Sequence, residues 1–234
     1  MKIAATADLH VREIRGEYRP LFQEISSKAD VLLLCGDLTD RGLESELSIL
    51  IEDLEACTIP TVAVFGNHDV ESGQGNKLKE ALHQTHVTVL DGDSTIIQDV
   101  GFAGIKGFCG GFDNYMLTPW GEKIIKDFVQ ESLDESILLE KALSRLSTEK
   151  KVVLMHYSPI SATVKGEPPE IFPYLGCSRL ASPINRYGAT VVFHGHAHHG
   201  SPKGMLNEKV PVFNVSQQVL LQKKNAMPYI LYTI

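Results

Sequence analysis

Four of the chain's nine histidines fall within six residues of "VVFHGHAHHG", Val191 to Gly200, directly after a β-branched run. Packing alone does not require that density of imidazole. The same arrangement recurs along the chain, where each run of strand-forming residues ends in polar side chains of metal-ligand type. Lys2 to Thr6 runs into "ADLH", giving Asp8 and His10. Val31 to Cys35 runs into "GDLTDRG", giving Asp37 and Asp40. Thr61 to Phe65 runs into "GNHD", giving Asn67, His68 and Asp69; Val152 to Met155 ends on His156; Thr190 to Phe193 ends on "HGHAHHG". Imidazole, carboxylate and a carboxamide oxygen with no thiolate form a mixed N/O set, suited to zinc, iron(II), manganese or nickel and poorly suited to calcium or copper(I).

Asp8, His10, Asp37, Asn67, His156, His196 and His198 are seven candidate ligands. That exceeds what one tetrahedral or octahedral ion needs once a reactive water is included, so two cations are expected. In "DLH" and "HAH" the ligands alternate, and alternate side chains of an extended backbone share a face. The glycines of "GD", "GN" and "GH" permit tight turns and close backbone approach. Taken singly, each motif has an ordinary explanation: a turn, a hydrogen-bonded core histidine, a chance pairing. Five such explanations would have to coincide at five strand ends.

These residues must be positioned by the elements that precede them. β-branched runs alternate with amphipathic segments, with helical spacing over Pro20 to Lys28, Leu43 to Ala56 and Phe128 to Leu146. Val87 to Ile105 and Val210 to Ile234 read instead as short alternating strands broken by turns. A partly parallel, partly antiparallel α/β arrangement follows, possible as two packed sheets. Ligands gather at the carboxyl ends of parallel strands, which would bring the five strand ends together.

At 234 residues and 43% hydrophobic content the chain is expected to form a single domain, residues 1–234. No apolar run reaches a membrane span, and "MKIAATADLH" lacks a signal-peptide profile, so a cytoplasmic protein is expected. Cys35, Cys57, Cys109 and Cys177 form no C-x-x-C pair and are read as reduced and structural. A net charge of −7 disfavours long nucleic acid as a partner. The mixed-sign stretch from Lys126 to Lys151 reads as a solvated helix face. The loops between Gly107 and Arg179 either connect elements or shape a substrate site; their aromatics Phe108, Phe112, Tyr115, Trp120, Phe172 and Tyr174 are read as loop packing rather than base stacking.

With "DLH", "GDLTD", "GNHD", "MH" and "GHAH" in this order, the sequence resembles the calcineurin-like metallophosphoesterases. The resemblance implies a four-layer αββα sandwich, two mixed β-sheets flanked by helices. It assigns Asp8, His10 and His198 to one metal, Asn67, His156 and His196 to the other, and Asp37 to both. The activity implied is hydrolysis of a small phosphodiester or phosphomonoester by in-line attack of a metal-bridging hydroxide, with His68 as general acid oriented by Asp40. Arg41, in "GDLTDRG", resembles the phosphate-contacting arginine of the protein Ser/Thr phosphatase branch. That branch usually has glutamate where "GNHD" has aspartate, and the short chain and motif spellings look closer to bacterial phosphodiesterases. A nuclease of the same superfamily and a non-catalytic scaffold on the same fold are the competing readings. The absence of a basic stripe weighs against the first, the complete ligand set against the second. His194 and His199 fall outside the motif.

Overall fold

The computed structural model describes residues 1–222 and 226–234. Residues 223–225, within the alternating segment Val210 to Ile234, therefore lie outside the described residues. The strands are β1 (Lys2–Thr6), β2 (Val31–Cys35), β3 (Thr61–Val64), β4 (Val87–Val89), β5 (Asp93–Ile97), β6 (Val100–Gly104), β7 (Lys150–Leu154), β8 (Val191–His194), β9 (Lys203–Leu206), β10 (Val210–Asn214) and β11 (Ile230–Thr233). The α-helices are α1 (Arg19–Lys28), α2 (Glu44–Leu54), α3 (Asn67–Val70), α4 (Gly75–His83), α5 (Lys123–Ser144), α6 (Phe172–Leu175), α7 (Ala181–Tyr187) and α8 (Gln217–Leu220).

The strands form a five-stranded sheet, ordered β11-β1-β2-β3-β4, and a six-stranded sheet, ordered β5-β6-β7-β8-β10-β9. Strands β1 to β4 run parallel, with β11 antiparallel at one edge. In the second sheet β6, β7, β8 and β10 are parallel, and β5 and β9 close the edges antiparallel. Both sheets are therefore mixed, as the sequence pattern predicts.

Alternation along each strand builds the layers. Ile3, Ala5, Val31 and Leu33 of the first sheet pack against Phe102, Val152, Leu154 and Phe193 of the second, forming the core between sheets. The intervening residues Ala4, Leu32 and Leu34 face Phe22, Leu47, Leu50 and Leu78 of α1, α2 and α4. On the far side, Val153 and Val192 meet Leu139 and Leu143 of α5 and Ile184 of α7. The result is the expected four-layer sandwich. Helix α5 begins at Lys123, five residues earlier than its apolar spacing indicates, because Ile124 and Ile125 in its first turn project into solvent. Among the described residues no helix is long and apolar enough to cross a membrane.

Candidate active site

Past β1 the backbone continues beside the extension of β2, held by bonds from Asp8 N to Gly36 O (3.0 Å) and His10 N to Asp37 O (3.0 Å). The local conformation differs from the expected extended alternation. Asp8, His10, Asp37 and His196 adopt left-handed backbone angles, with φ of 59°, 46°, 49° and 69°. Each such residue carries about 1–3 kcal/mol of strain and persists where its surroundings over-determine it. A left-handed residue turns its side chain out of strand alternation, so "DLH" and "HAH" converge through tight turns rather than along one strand face.

Three groups of donor atoms result: one joins His10, Asp40 and His68, and the other two contain the expected ligands. Asp8, His10 and His198 place ligand atoms within 4.8 Å of one another, as do Asp37, His156 and His196. Asn67 Oδ1 lies 3.0 Å from His156 Nε2, adding a carboxamide oxygen to the second group. Asp37 connects the two, its Oδ2 standing 3.3 Å from His156 Nε2 and 3.8 Å from His10 Nε2. Within the groups, His198 Nε2 is 3.0 Å from Asp8 Oδ1 and His156 Nε2 is 3.1 Å from His196 Nδ1.

A direct test of whether these residues fit cations is the state of their polar atoms. His10 Nε2 is buried and has no hydrogen-bond partner, so its lone pair or proton faces the space between the groups unsatisfied. Two of the candidate ligand histidines are oriented from behind: His156 Nδ1 meets the Cys35 carbonyl at 3.1 Å and His196 Nε2 meets the Tyr174 carbonyl at 3.0 Å. Both rings thereby turn their other nitrogen towards the centre, the arrangement in which metal-binding histidines are held. The donor set fits divalent cations of the zinc, iron, manganese or nickel type.

Electrostatics in the cation-free protein follow from the pairing. Burial opposes ionisation of Asp37, but the His156 charge and the hydrogen bonds it accepts, including His68 N at 2.9 Å, hold its carboxyl well below the usual range. Burial also opposes ionisation of Asp8, and the His198 hydrogen bond and His156 charge carry it below its ordinary value. For His156, burial is outweighed by the Asp37 charge and hydrogen bond, raising it to about 9. Burial dominates at His196, lowering it to about 3.

His68 lies in α3, with its ring 4.6 Å from that of His10 and nearly perpendicular to it. Its Nδ1 meets the main-chain carbonyl of Asp40 at 2.6 Å. Asp40 therefore orients His68 through its backbone and not through its carboxylate, because the carboxylate is turned to Arg12 Nη2 (3.1 Å) and His10 Nδ1 (3.6 Å). Arg41 is 74% exposed, its Nε 4.0 Å from Asp40 Oδ2, and it stands outside the cluster of donor atoms.

The sequence alone gave Asp69 no role, though it closes "GNHD". It is fully buried and accepts hydrogen bonds from Gly66 N, Leu38 N, Thr39 N and the Thr39 hydroxyl, tying the "GDLTD" and "GNHD" loops together. The four donors lie on three loop residues and three of them are backbone N–H groups, so no residue type in the sequence marks Asp69 as a loop anchor. Tyr157 packs beside His196, with ring centroids 4.4 Å apart. The carbonyls of Cys35, Asp40 and Tyr174 have no sequence signal, since every residue type carries one.

The two surplus histidines separate. His194 is buried at the end of β8, its Nδ1 near the Gly195 carbonyl and its Nε2 near the Thr163 hydroxyl, both at 2.8 Å; burial lowers it to about 4. His199 is exposed. The aromatics also divide. Phe108 packs on Phe128, and Phe112 on Phe172, but Tyr115, Trp120 and Tyr174 are exposed, so packing accounts for only part of the set.

Comparison with known proteins gives the wider setting. A "Probable glycerophosphodiester phosphodiesterase GpdQ" of Arcobacter nitrofigilis is 22% identical over 179 residues, 74% of this chain. The chain spans 58% of the length of that curated relative. In fold it is similar to the phosphopantetheinyl hydrolase PptH of Mycobacterium tuberculosis, with a TM-score of 0.72, 14% identity and coverage of 99% of this chain and 95% of that one. The purple acid phosphatase PPD1 of yellow lupin gives a TM-score of 0.52 at 14% identity, over 87% of this chain and 38% of that one. Residues 1–200 match the calcineurin-like phosphoesterase family, and the chain belongs to that family.

Proposed function

We propose that this chain is a di-metal phosphoesterase acting on a small phosphodiester or phosphomonoester. The observation that carries this reading is the meeting of two donor groups at Asp37, with the unsatisfied His10 Nε2 between them and His68 alongside. Asp8, His10 and His198 would hold one cation, Asn67, His156 and His196 the other, and Asp37 both. When bound, such a pair of cations supplies charge stabilisation for the phosphoryl group and activates water for attack.

The remaining work falls to the chain. With its Nδ1–H donating to the Asp40 carbonyl, His68 has Nε2 as the ring nitrogen left for the leaving oxygen, and it can protonate that oxygen only from the doubly protonated imidazolium. Its position is fixed from the other side by the bond from its backbone N–H to Asp37 Oδ1. Asp40 holds the position of His68, and its carboxylate holds Arg12. Arg41 reaches phosphate only by swinging inward from its exposed position, and it is assigned here to an incoming anionic substrate rather than to the reacting atoms. Residues 1–234 act as one domain around the shared inter-sheet core. The four buried cysteines, all unpaired, support a reducing, cytoplasmic setting.

The relative described as a probable glycerophosphodiester phosphodiesterase supports diester hydrolysis. The test is turnover of bis(p-nitrophenyl) phosphate and p-nitrophenyl phosphate with added Mn²⁺. Diesterase activity is expected, cut by about 10²–10⁴-fold in His68→Ala and abolished in Asp37→Ala, with the fold intact. An inert wild type that takes up no metal would favour the scaffold reading; strong cleavage of DNA with neither small ester turned over would favour the nuclease.

A further inference from the structure

A recess of about 480 Å³ lies between the Gly110–Met116 segment and the Pro168–Leu175 segment. Phe112, Tyr115, Phe172 and Pro173 form its apolar walls, with Asp113 and Ser161 among its lining residues and hydrogen-bonded to each other at 2.9 Å. This size and composition are those of a small-molecule site. Its walls are fixed: Gly110 N donates to Pro173 O (2.7 Å), Gly111 N to Gly176 O (2.9 Å) and Ser178 N to Gly111 O (3.1 Å). The wall segment continues into the site. Tyr174, adjoining Phe172 and Pro173, presents its carbonyl to His196, and Phe112 and Phe172 pack in one cluster with Ala197, the residue between His196 and His198.

We propose that this recess binds the non-reacting substituent of the substrate, and that this substituent is uncharged and apolar or aromatic. The inference rests on the phosphoesterase reading for the identity of the reacting group, and on the adjacency of the recess walls to His196, through the Tyr174 carbonyl and the packing of Phe112 and Phe172 with Ala197, for the occupant. His68 stands at the opposite end, against His10, so the leaving oxygen belongs there and the retained substituent belongs at the recess. The Asp113 carboxylate accepts an N–H or O–H from the occupant and repels a second anion. A small polar headgroup such as glycerol leaves the walls unfilled.

The test compares two diesters that share a leaving group, phenyl p-nitrophenyl phosphate and methyl p-nitrophenyl phosphate, on Mn²⁺-loaded protein. In parallel, calorimetry measures binding of phenylphosphonate and methylphosphonate, which are not turned over. The wild type is expected to favour the phenyl member of each pair by about tenfold or more, the scale on which apolar pockets discriminate substituents. Phe172→Ala and Tyr115→Ala are expected to bring both ratios towards one. Tyr115 is 86% exposed, so its truncation does not threaten the fold. Equal treatment of phenyl and methyl by the wild type, or a preference that survives in both variants, overturns the proposal. Preferential phenylphosphonate binding with neither diester hydrolysed supports the recess and sinks the phosphoesterase reading instead.

Discussion

Gly66→Ala isolates the packing requirement of the centre. Gly66 has φ −108° and ψ −170°, angles open to any residue, so alanine there meets no backbone strain. Its Cβ, however, would stand 2.1 Å from Asp37 Oδ1, 2.4 Å from Asp37 N and 2.8 Å from Asp37 Cγ. Asp37 has no slack, since Oδ1 accepts from His68 N at 2.9 Å and Oδ2 faces His156 at 3.3 Å. Overpacking of this kind costs about 1–3 kcal/mol. At roughly 2–4 °C per kcal/mol for a chain of this size, the melting temperature should fall by about 2–12 °C. The larger effect is on function, because a displacement of roughly 1 Å is enough to cost on the order of 10²-fold in rate. Gly16→Ala is the control: its φ of +79° strains alanine, but no atom lies within 4 Å of the added Cβ. Both variants should lose stability, by calorimetric melting, and only Gly66→Ala should lose Mn²⁺ affinity, by about tenfold or more in titration calorimetry. Wild-type Mn²⁺ affinity in Gly66→Ala would refute the reasoning, whatever its melting temperature.

Three further outcomes follow from the geometry. Asp69→Ala leaves four buried donors without an acceptor, each worth about 1–3 kcal/mol. Removing a buried carboxyl whose pKa burial has raised to about 6 offsets part of that, so a net loss of about 3 kcal/mol is expected in urea denaturation, and an unchanged midpoint would count against the anchor role. Asp40→Asn keeps the main-chain carbonyl that meets His68, so its loss of kcat should stay well short of the about 10²–10⁴-fold expected for His68→Ala; equal losses would return the orienting role to the carboxylate. In the cation-free protein His156 is raised to about 9 by Asp37, so its pairing stabilises the fold fully below its unfolded value of 6.5 and loses that contribution as pH rises through about 9. Binding a cation through Nε2 needs the neutral ring, so loading near pH 7.5 should expel about one proton and tighten with rising pH. Calorimetry in buffers of different ionisation enthalpy reads this, and proton-neutral binding would contradict it.

The parts of the fold legible in the sequence are those governed by hydrophobic patterning. Unbroken apolar runs in Lys2 to Thr6 and Val31 to Cys35 locate β1 and β2 to the residue, because both faces of these strands are buried and the runs end where the polar loops begin. Helix α4 and the short α7 are not legible in the same way: α4 starts at Gly75 and α7 carries Pro183, composition that reads as turn, and tertiary packing of Leu78, Leu82 and Ile184 overrides it. At the site, the types and order of Asp8 to His198 are visible because the proposed chemistry is carried by side chains. The support behind them is invisible where it is made by carbonyls, as at Cys35, Asp40 and Tyr174. The left-handed angles of Asp8, His10 and Asp37 are equally hidden, since aspartate and histidine, though enriched in that region, occupy it too seldom for residue type alone to mark it.

The three glycines that introduce the ligand loops reduce to one packing requirement. A Cβ on Gly36 would lie 2.4 Å from His156 Nδ1; one on Gly66, 2.1 Å from Asp37 Oδ1; one on Gly195, 2.5 Å from Asp8 Oδ2. In each case the intruded atom belongs to a candidate ligand on a different loop. Gly36 gives room to a histidine from the second sheet, Gly195 of the second sheet gives room to an aspartate from the first, and Gly66 gives room to the aspartate that joins the two donor groups. The carboxyl edges of the two sheets can approach closely enough for Asp37 to face both His10 and His156 only if the backbone at these three positions is bare. The spellings "GD", "GN" and "GH" are thus the interlocking of two sheets around one centre, and the turn that each glycine permits is the lesser part of its role.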